Sequence, residues 1–401
     1  MPHGLLAPDA ATIVPRVWAL LGHKAGDNSQ VLALAEALGW PFETKHFVYR
    51  KFEWLPNFTL GSTVLGIDRE QSSPLTAPWP DLIITAGRRN EPLARWIQEQ
   101  AAPAKHTRIV HCGRPWMSLD RVDLVVTTPQ YRLPQRPNVL HNQTPLHRVN
   151  ETRLREGAEQ WRDRLTHLPQ PYVAVVIGGN SGPYSFDLRA AERLAKQASA
   201  LANKLGGSLL VTTSARTAPA SAEAFRQHLT APAFVYQWSK GATDNPYFAF
   251  LALAHSIVVT GDSMSMLAEA CATRKPVHIF DLGEGDNAMR PKPELLPGAV
   301  ASTKRLQLAH LQAFLYRQMM RFGPERLSRD IRIIHRYLTD SERAVWLGDE
   351  FPADRKLPKL DCLGHAVARV RALFDFQTPR TRPVGEDLDL SAYWPAQHHS
   401  A

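Results

Sequence analysis

The chain has 401 residues, 44% hydrophobic and 21% charged, which is ordinary for a soluble globular protein with room for two α/β domains. Its 47 Lys and Arg against 38 Asp and Glu leave a net charge of +9, which suits acidic lipid headgroups or phosphorylated substrates; no Lys/Arg block with interleaved aromatics occurs, so no nucleic acid partner is expected. The longest apolar stretch, Phe248 to Gly261, is broken by His255-Ser256 and is too short to span a bilayer, and the distant Cys112, Cys271 and Cys362 form no CxxC, as expected in a reducing compartment.

The first residues lack a basic region followed by an apolar run and do not read as a secretory signal. Residues 17–21 predict a first strand, followed by the loop Gly22 to Asn28 and a helix over 30–38 that Gly39 stops. His46 to Tyr49 reads as the next strand, and residues 50–80 carry no assignable element. Strands at 81–85, 107–111 and 122–127, with a helix over 92–100, complete a first parallel sheet. A polar helical run from Glu151 to His167 ends at Pro169-Gln-Pro171, the expected domain boundary. Beyond it strands at 172–177, 208–213, 234–236, 256–260 and 276–280 alternate with helices at 187–205, 219–229, 246–254 and 263–273. Residues 303–376 read as several helices, and the chain from Gly385 onward reads as a loose acidic tail. The expected fold is α/β: two Rossmann-like, doubly wound parallel-sheet domains, 1–168 and 169–302, followed by a helical region at 303–401.

Two loops in the second half are alike. Gly178-Gly179-Asn180-Ser181-Gly182, with Ser185, and Thr260-Gly261-Asp262-Ser263-Met264-Ser265 each lead from an apolar strand into a helix. Free backbone N–H groups and hydroxyls at a helix start suit a phosphate, so these residues are candidate donor-phosphate ligands. Connecting turns and helix caps are the simpler reading of the same residues. Arg216 closes the strand at 208–213 and points toward the usual ligand crevice. Tyr236, Gln237 and Trp238 offer a stacking edge and backbone groups for a nucleobase. In the first half, Gly87-Arg88-Arg89-Asn90 places paired arginines at a helix start, as a phosphorylated or carboxylated ligand would require. Tyr236 and Lys240 match the Tyr-x-x-x-Lys pair of short-chain dehydrogenases and sugar epimerases in spacing only, because Tyr236 ends a strand, and the first turn lacks a third glycine in step. The Asp387-Leu388-Asp389 triplet resembles a metal-binding DxD but lies in the tail, so no required metal is expected.

The paired loops resemble the donor half of GT-B glycosyltransferases, the group that includes the lipid-linked peptidoglycan transferase. Nearly the whole chain resembles a bacterial family related to the plant "elongated mitochondria" fission protein, through residues 22–30, 85–92, 178–182, 211–216 and 260–265. The GT-B resemblance implies that Ser263 and Ser265 hold the diphosphate and Glu269 the ribose. It also implies that the loop containing His23, Lys24, Asp27 and Asn28 faces an acceptor, and that the C-terminal helices cross back onto the first domain. Asp27 or His23 is then the candidate general base, and Arg88 and Arg89 belong to the acceptor side. The expected function is transfer of a sugar from a nucleotide-sugar substrate to an envelope or lipid-linked glycan, with no cofactor. Such a protein is expected in the cytoplasm, with peripheral contact at an anionic inner membrane face. Plant members act as adaptors, so a non-catalytic adaptor or nucleotide-sugar sensor on the same fold is the alternative.

Overall fold

A computed structural model describes residues 14–50, 61–284, 288–290, 329–355, 357 and 360–374. The chain forms two compact units. The first contains the described residues within Met1–Val126, Arg136–Leu140 and Leu363–Thr381. The second contains those within Thr127–Gln135, His141–Cys362 and Arg382–Ala401.

In the first unit, the strands are β1 (Val17–Leu21), β2 (Phe42–His46), β3 (Leu82–Ala86), β4 (Arg108–Cys112), β5 (Leu124–Thr127) and β6 (Val139–His141). The helices α1 (Ala25–Leu38) and α2 (Glu91–Ala101) follow β1 and β3. The six strands lie in the order β2-β1-β3-β4-β5-β6, and the pairs from β2 to β5 are parallel. Every residue of β1 and β3 is buried, as a strand covered on both faces requires. β2 is the edge strand and exposes Glu43, with Lys45 paired to it at 3.0 Å and lying over Trp18. This corrects the expected strand at 46–49: the strand ends at His46, because charged edge residues hide the apolar signal.

The second unit contains α3 (Glu151–Trp161), β7 (Tyr172–Val176), α4 (Leu188–Lys204), β8 (Ser208–Thr212), α5 (Pro219–Gln227) and β9 (Ala233–Tyr236). It continues with α6 (Tyr247–Leu253), β10 (Ser256–Thr260), α7 (Met264–Ala272), β11 (Val277–Phe280), α8 (Arg332–Asp340) and β12 (Val345–Trp346). Its six strands are all parallel and lie in the order β12-β11-β10-β7-β8-β9. That order reverses direction between β7 and β10, and the first unit's order reverses between β1 and β3. In open α/β sheets the crevice beyond such a reversal is where ligands bind.

Two further differences from the sequence reading have physical causes. The C-terminal region is not only helical, since Val345 and Trp346 add β12 to the edge of the second sheet. The helix α9 (Cys362–Arg371) then contributes its residues from Leu363 to the first unit, where Arg371 donates to the Leu38 carbonyl at 2.9 Å. The sequence placed residues 151–168 with the first domain, but α3 lies in the second unit against α6. Trp161 there meets Phe234 and Phe250 edge-on at 5.8 and 6.1 Å. The expected tail from Gly385 onward lies outside the described residues.

Gly157 lets the two helices touch: a Cβ there would stand 2.8 Å from the Ala249 nitrogen and 3.1 Å from the Phe248 carbonyl carbon. Gly157→Ala should therefore destabilise the protein. Better helix propensity contributes roughly 1 kcal/mol in its favour, while overpacking costs about 1–3 kcal/mol. A urea midpoint that rises in this variant would show that α3 does not approach α6 so closely.

Candidate functional site

In the second unit the loops after β7 and β10 lie side by side at the point of reversal. The Gly178 N–H donates to Thr260 Oγ1 at 2.8 Å, and the Gly179 N–H donates to Asp262 Oδ2 at 3.1 Å. The Thr260 hydroxyl donates to Asp262 Oδ1 at 2.7 Å, and Arg216 Nη1 pairs with Asp262 Oδ2 at 2.6 Å. Burial pushes the Asp262 carboxyl up from its ordinary range, against the opposing pull of Arg216, Thr260 and the Gly179 amide. Both glycines are required by crowding: a Cβ on Gly178 would lie 2.4 Å from Asp262 Oδ2, and one on Gly179 would lie 2.1 Å from the Arg216 carbonyl oxygen. The expectation of free amides is thereby corrected. These two N–H groups bind the neighbouring loop, because β7 and β10 are adjacent strands.

Of the remaining predicted phosphate ligands, Asn180, Gly182 and Arg216 are exposed, Ser181, Ser185 and Ser265 are half-buried, and Gly261 and Ser263 are buried. The Asn180 side chain accepts from the Phe186 N–H at 2.8 Å, and its carbonyl accepts from Arg216 at 3.2 Å. Ser181 closes a short turn with Tyr184, and Gly182 takes a positive φ of 59° in it. The Gly261 N–H is spent on the Phe280 carbonyl at 2.9 Å, and its own carbonyl faces His335 Nε2 at 2.7 Å. Ser263 caps α7 by position, and Ser265 lies in its first turn. The hydroxyls of Ser181, Ser185, Ser263 and Ser265 make no hydrogen bond among the described residues. The Arg216 side chain on the loop after β8 is 40% exposed.

Glu269 is buried and accepts the Tyr247 phenol proton at 2.5 Å. Burial, aided by that carboxylate, pushes the Tyr247 phenol well above its ordinary range. The nucleobase edge is corrected in part. The Tyr236 carbonyl accepts from the Thr213 N–H at 3.2 Å, and the Trp238 N–H donates to Thr213 Oγ1 at 2.9 Å. These backbone groups tie β9 to β8, which leaves the exposed Gln237 and the 37% exposed Trp238 indole as the groups facing outward.

In the first unit the loops after β1, β3 and β4 share one sheet edge. Asn28 turns inward: its amide oxygen accepts from the Gly22 N–H and its amide nitrogen donates to the Gly22 carbonyl, both at 2.8 Å. It therefore shapes the loop. Lys24 and His23 are exposed, and the His23 ring lies 5.7 Å from Tyr49. Asp27 is half-buried beside Gly87, where a Cβ would stand 2.8 Å from its Oδ2. Arg89 lies 5.8 Å over Tyr49, whose phenol is raised chiefly by burial. Arg88 and Arg114 lie 5.6 and 5.0 Å from the exposed Trp116 ring.

Sequence reasoning missed Tyr49, Asn90, Glu91, Arg114 and Trp116. The Asn90 amide donates to the Leu20 and Ala86 carbonyls at 3.1 and 3.2 Å, joining the ends of β1 and β3. Buried Glu91 accepts the Trp116 and Met117 N–H groups at 2.8 and 2.9 Å and so sets the loop that carries Arg114. The available signal was positional: Arg114 and Trp116 directly follow a strand, as Arg88 and Arg89 do. Among the described residues, no cluster of three or more His, Cys, Asp or Glu side chains is arranged to hold a metal.

The family model described as "Mitochondrial fission ELM1" matches residues 25–293. The chain is similar to an uncharacterized protein of Rickettsia prowazekii (strain Madrid E), 27% identical over 297 residues, which covers 66% of this chain and 82% of that one. It is also similar to the mitochondrial fission protein ELM1 of Arabidopsis thaliana, 31% identical over 225 residues, or 50% of this chain and 51% of the plant protein. The match thus spans about half the length of the plant relative. Among solved structures, UDP-GlcNAc 2-epimerase from Neisseria meningitidis, bound to UDP-GlcNAc, is similar with a TM-score of 0.44 at 11% identity, covering 90% of this chain and 99% of that one. MurG from Acinetobacter baumannii is similar with a TM-score of 0.34 at 12% identity, covering 89% and 99%.

Two buried histidines make the second unit sensitive to acid. Burial pushes His335 and His278 down to about 4. The unfolded rings titrate near 6.5, so the stability that rests on neutral rings is complete above roughly pH 6.5. It is lost as pH falls toward 4, at up to about 1.4 kcal/mol per pH unit per ring. Urea unfolding should show this decline between those limits, and His335→Gln should lessen its slope. An unchanged slope would mean that His335 does not titrate in this window.

Proposed function

The chain belongs to the Mitochondrial fission ELM1 family, and within that family we propose that the second unit binds a nucleotide-activated sugar and that the protein transfers the sugar to a glycan or lipid-linked acceptor held by the first unit. One observation carries the reading. At the β7/β10 reversal, Arg216, the start of α7 and the hydroxyls of Ser181, Ser185, Ser263 and Ser265 gather on adjacent loops. Such a set suits a diphosphate. The exposed Trp238 indole supplies a stacking face for the base, and Glu269 is the candidate ribose partner.

In the proposed reaction an acceptor hydroxyl oxygen forms a bond to the anomeric carbon. The bond from that carbon to the diphosphate oxygen breaks, and the nucleoside diphosphate leaves with the electron pair. The hydroxyl proton passes to Asp27, with His23 as the second candidate base. Arg216 and the loop hydroxyls stabilise the charge that develops on the departing diphosphate. Arg88, Arg89 and Arg114 give the acceptor side a positive face, which suits a phosphorylated acceptor. No resident cofactor enters this scheme.

A non-catalytic adaptor or nucleotide-sugar sensor is the second reading. It is favoured by the fact that Gly178, Gly179 and Arg216 are already engaged by Thr260 and Asp262. Either role is compatible with peripheral contact at the inner face of an anionic membrane, given the +9 charge. No helix among the described residues is long and apolar enough to cross a membrane. Co-sedimentation with phosphatidylglycerol vesicles at low salt should be lost at high salt, whereas equal binding to neutral vesicles would oppose an electrostatic contact.

A panel of nucleoside diphosphates tests the donor site. A species present at about 100 times its Kd adds about 2.7 kcal/mol and should raise Tm by roughly 5–10 °C. Arg216→Gln should abolish that rise. If no species shifts the melting curve, the donor site is refuted. With donor and acceptor supplied, Asp27→Asn should slow turnover by about 10²–10⁴-fold while nucleotide affinity is kept. Undiminished turnover in that variant and in His23→Ala would remove both residues from the chemistry.

A further inference from the structure

The first glycine-rich loop of the second unit is not an empty anion cradle, because a side chain of the protein already fills it. The Asp262 carboxylate is 1% exposed and receives the Gly179 N–H at 3.1 Å, the Thr260 hydroxyl at 2.7 Å and Arg216 at 2.6 Å. A backbone amide, a hydroxyl and a guanidinium are the donors that a phosphate would seek from these loops. The carboxylate oxygens lie 2.4 and 2.5 Å from where a Gly178 Cβ would stand, so the space that glycine leaves open is taken by this anion. One carboxylate against one guanidinium also makes the loop pair neutral as it stands.

We infer that Asp262 is a resident anion at the phosphate-suited loops, and that a diphosphate must displace it from Arg216 in order to bind. The inference deepens the donor-site reading and rests on it. Asp262 then sets which ligands enter. A phosphate brought to Arg216 meets a buried like charge close by, which disfavours binding until the carboxylate gives up its partner. A ligand carrying several charges gains more from Arg216 and the start of α7 than a singly charged one, so the exchange favours a diphosphate over a weaker anion.

The competing account is that Asp262 holds Arg216 in place for the ligand, and it predicts the opposite sign. The probe is inorganic pyrophosphate, which avoids any choice of nucleobase, titrated by calorimetry at constant ionic strength. Asp262→Asn keeps the shape and removes the charge, and should bind pyrophosphate about tenfold or more tightly than the wild type. Asp262→Ser, which also lacks the charge, should show the same gain and serves if the asparagine variant does not fold. Asp262→Asn combined with Arg216→Gln should lose the gain, because the freed guanidinium is its source. Equal or weaker binding by the neutral variants, with pyrophosphate or nucleoside diphosphate still bound by the wild type, would overturn this inference and leave the donor site standing. Binding by neither the wild type nor the variants would overturn both.

Discussion

The Asp262 carboxylate fills the space that a side chain at Gly178 would need, and the geometry of the second unit's β7/β10 loops follows from that. β7 and β10 are adjacent parallel strands, so the loops that leave them must either repel or interlock. They interlock through the Asp262 carboxylate, whose burial demands several strong donors. Thr260, the Gly179 amide and Arg216 supply them. A side chain at position 178 would expel the carboxylate, and loss of the carboxylate would leave Arg216 and the Gly179 N–H without this partner. The loops are therefore held in position by a polar network in which each member satisfies another.

The first unit meets the same topological demand with different chemistry. Its reversal lies between β1 and β3, and an amide joins the ends: Asn90 reaches the Leu20 and Ala86 carbonyls, while Asn28 closes the loop on Gly22. Neutral amides carry no charge to compensate. The arginines of the neighbouring loops stay at the rim, where Arg88 and Arg114 flank the exposed Trp116. At the second unit's edge Arg216 is paired with Asp262, and at the first unit's edge Arg88 and Arg114 lie beside the Trp116 ring.

Much of the fold was legible from the chain because buried parallel strands are continuous apolar runs. Val17–Leu21, Leu82–Ala86, Tyr172–Val176 and Ser256–Thr260 were readable for that reason, and each is buried throughout. Edge strands lack the signal: Phe42–His46 is mostly polar with no buried position, and Val345–Trp346 is two residues long. The loops were legible as sites but not as partners of each other. Composition marks a glycine as permissive, yet whether its freedom admits a ligand or a neighbouring carboxylate depends on strand order, which no local pattern encodes. The same holds for Glu91, whose role in holding the Trp116 loop depends on the register between β3 and β4.

The second loop is also braced from far along the chain. His335, on α8, sets its Nε2 against the Gly261 carbonyl, and its ring rests edge-on against Trp346 at 5.3 Å. Asp330, just before that helix, is held by Arg132 and Arg332 at 3.1 and 3.0 Å, and these charges keep its carboxyl below the ordinary range despite its burial. A contact that joins residues 261 and 335 closes a long loop, and the entropy of closing it is recovered only if the buried ring and its neighbours are well packed. Such bracing is more than a connecting turn needs. It fixes the Gly261 carbonyl and with it the loop that leads into α7.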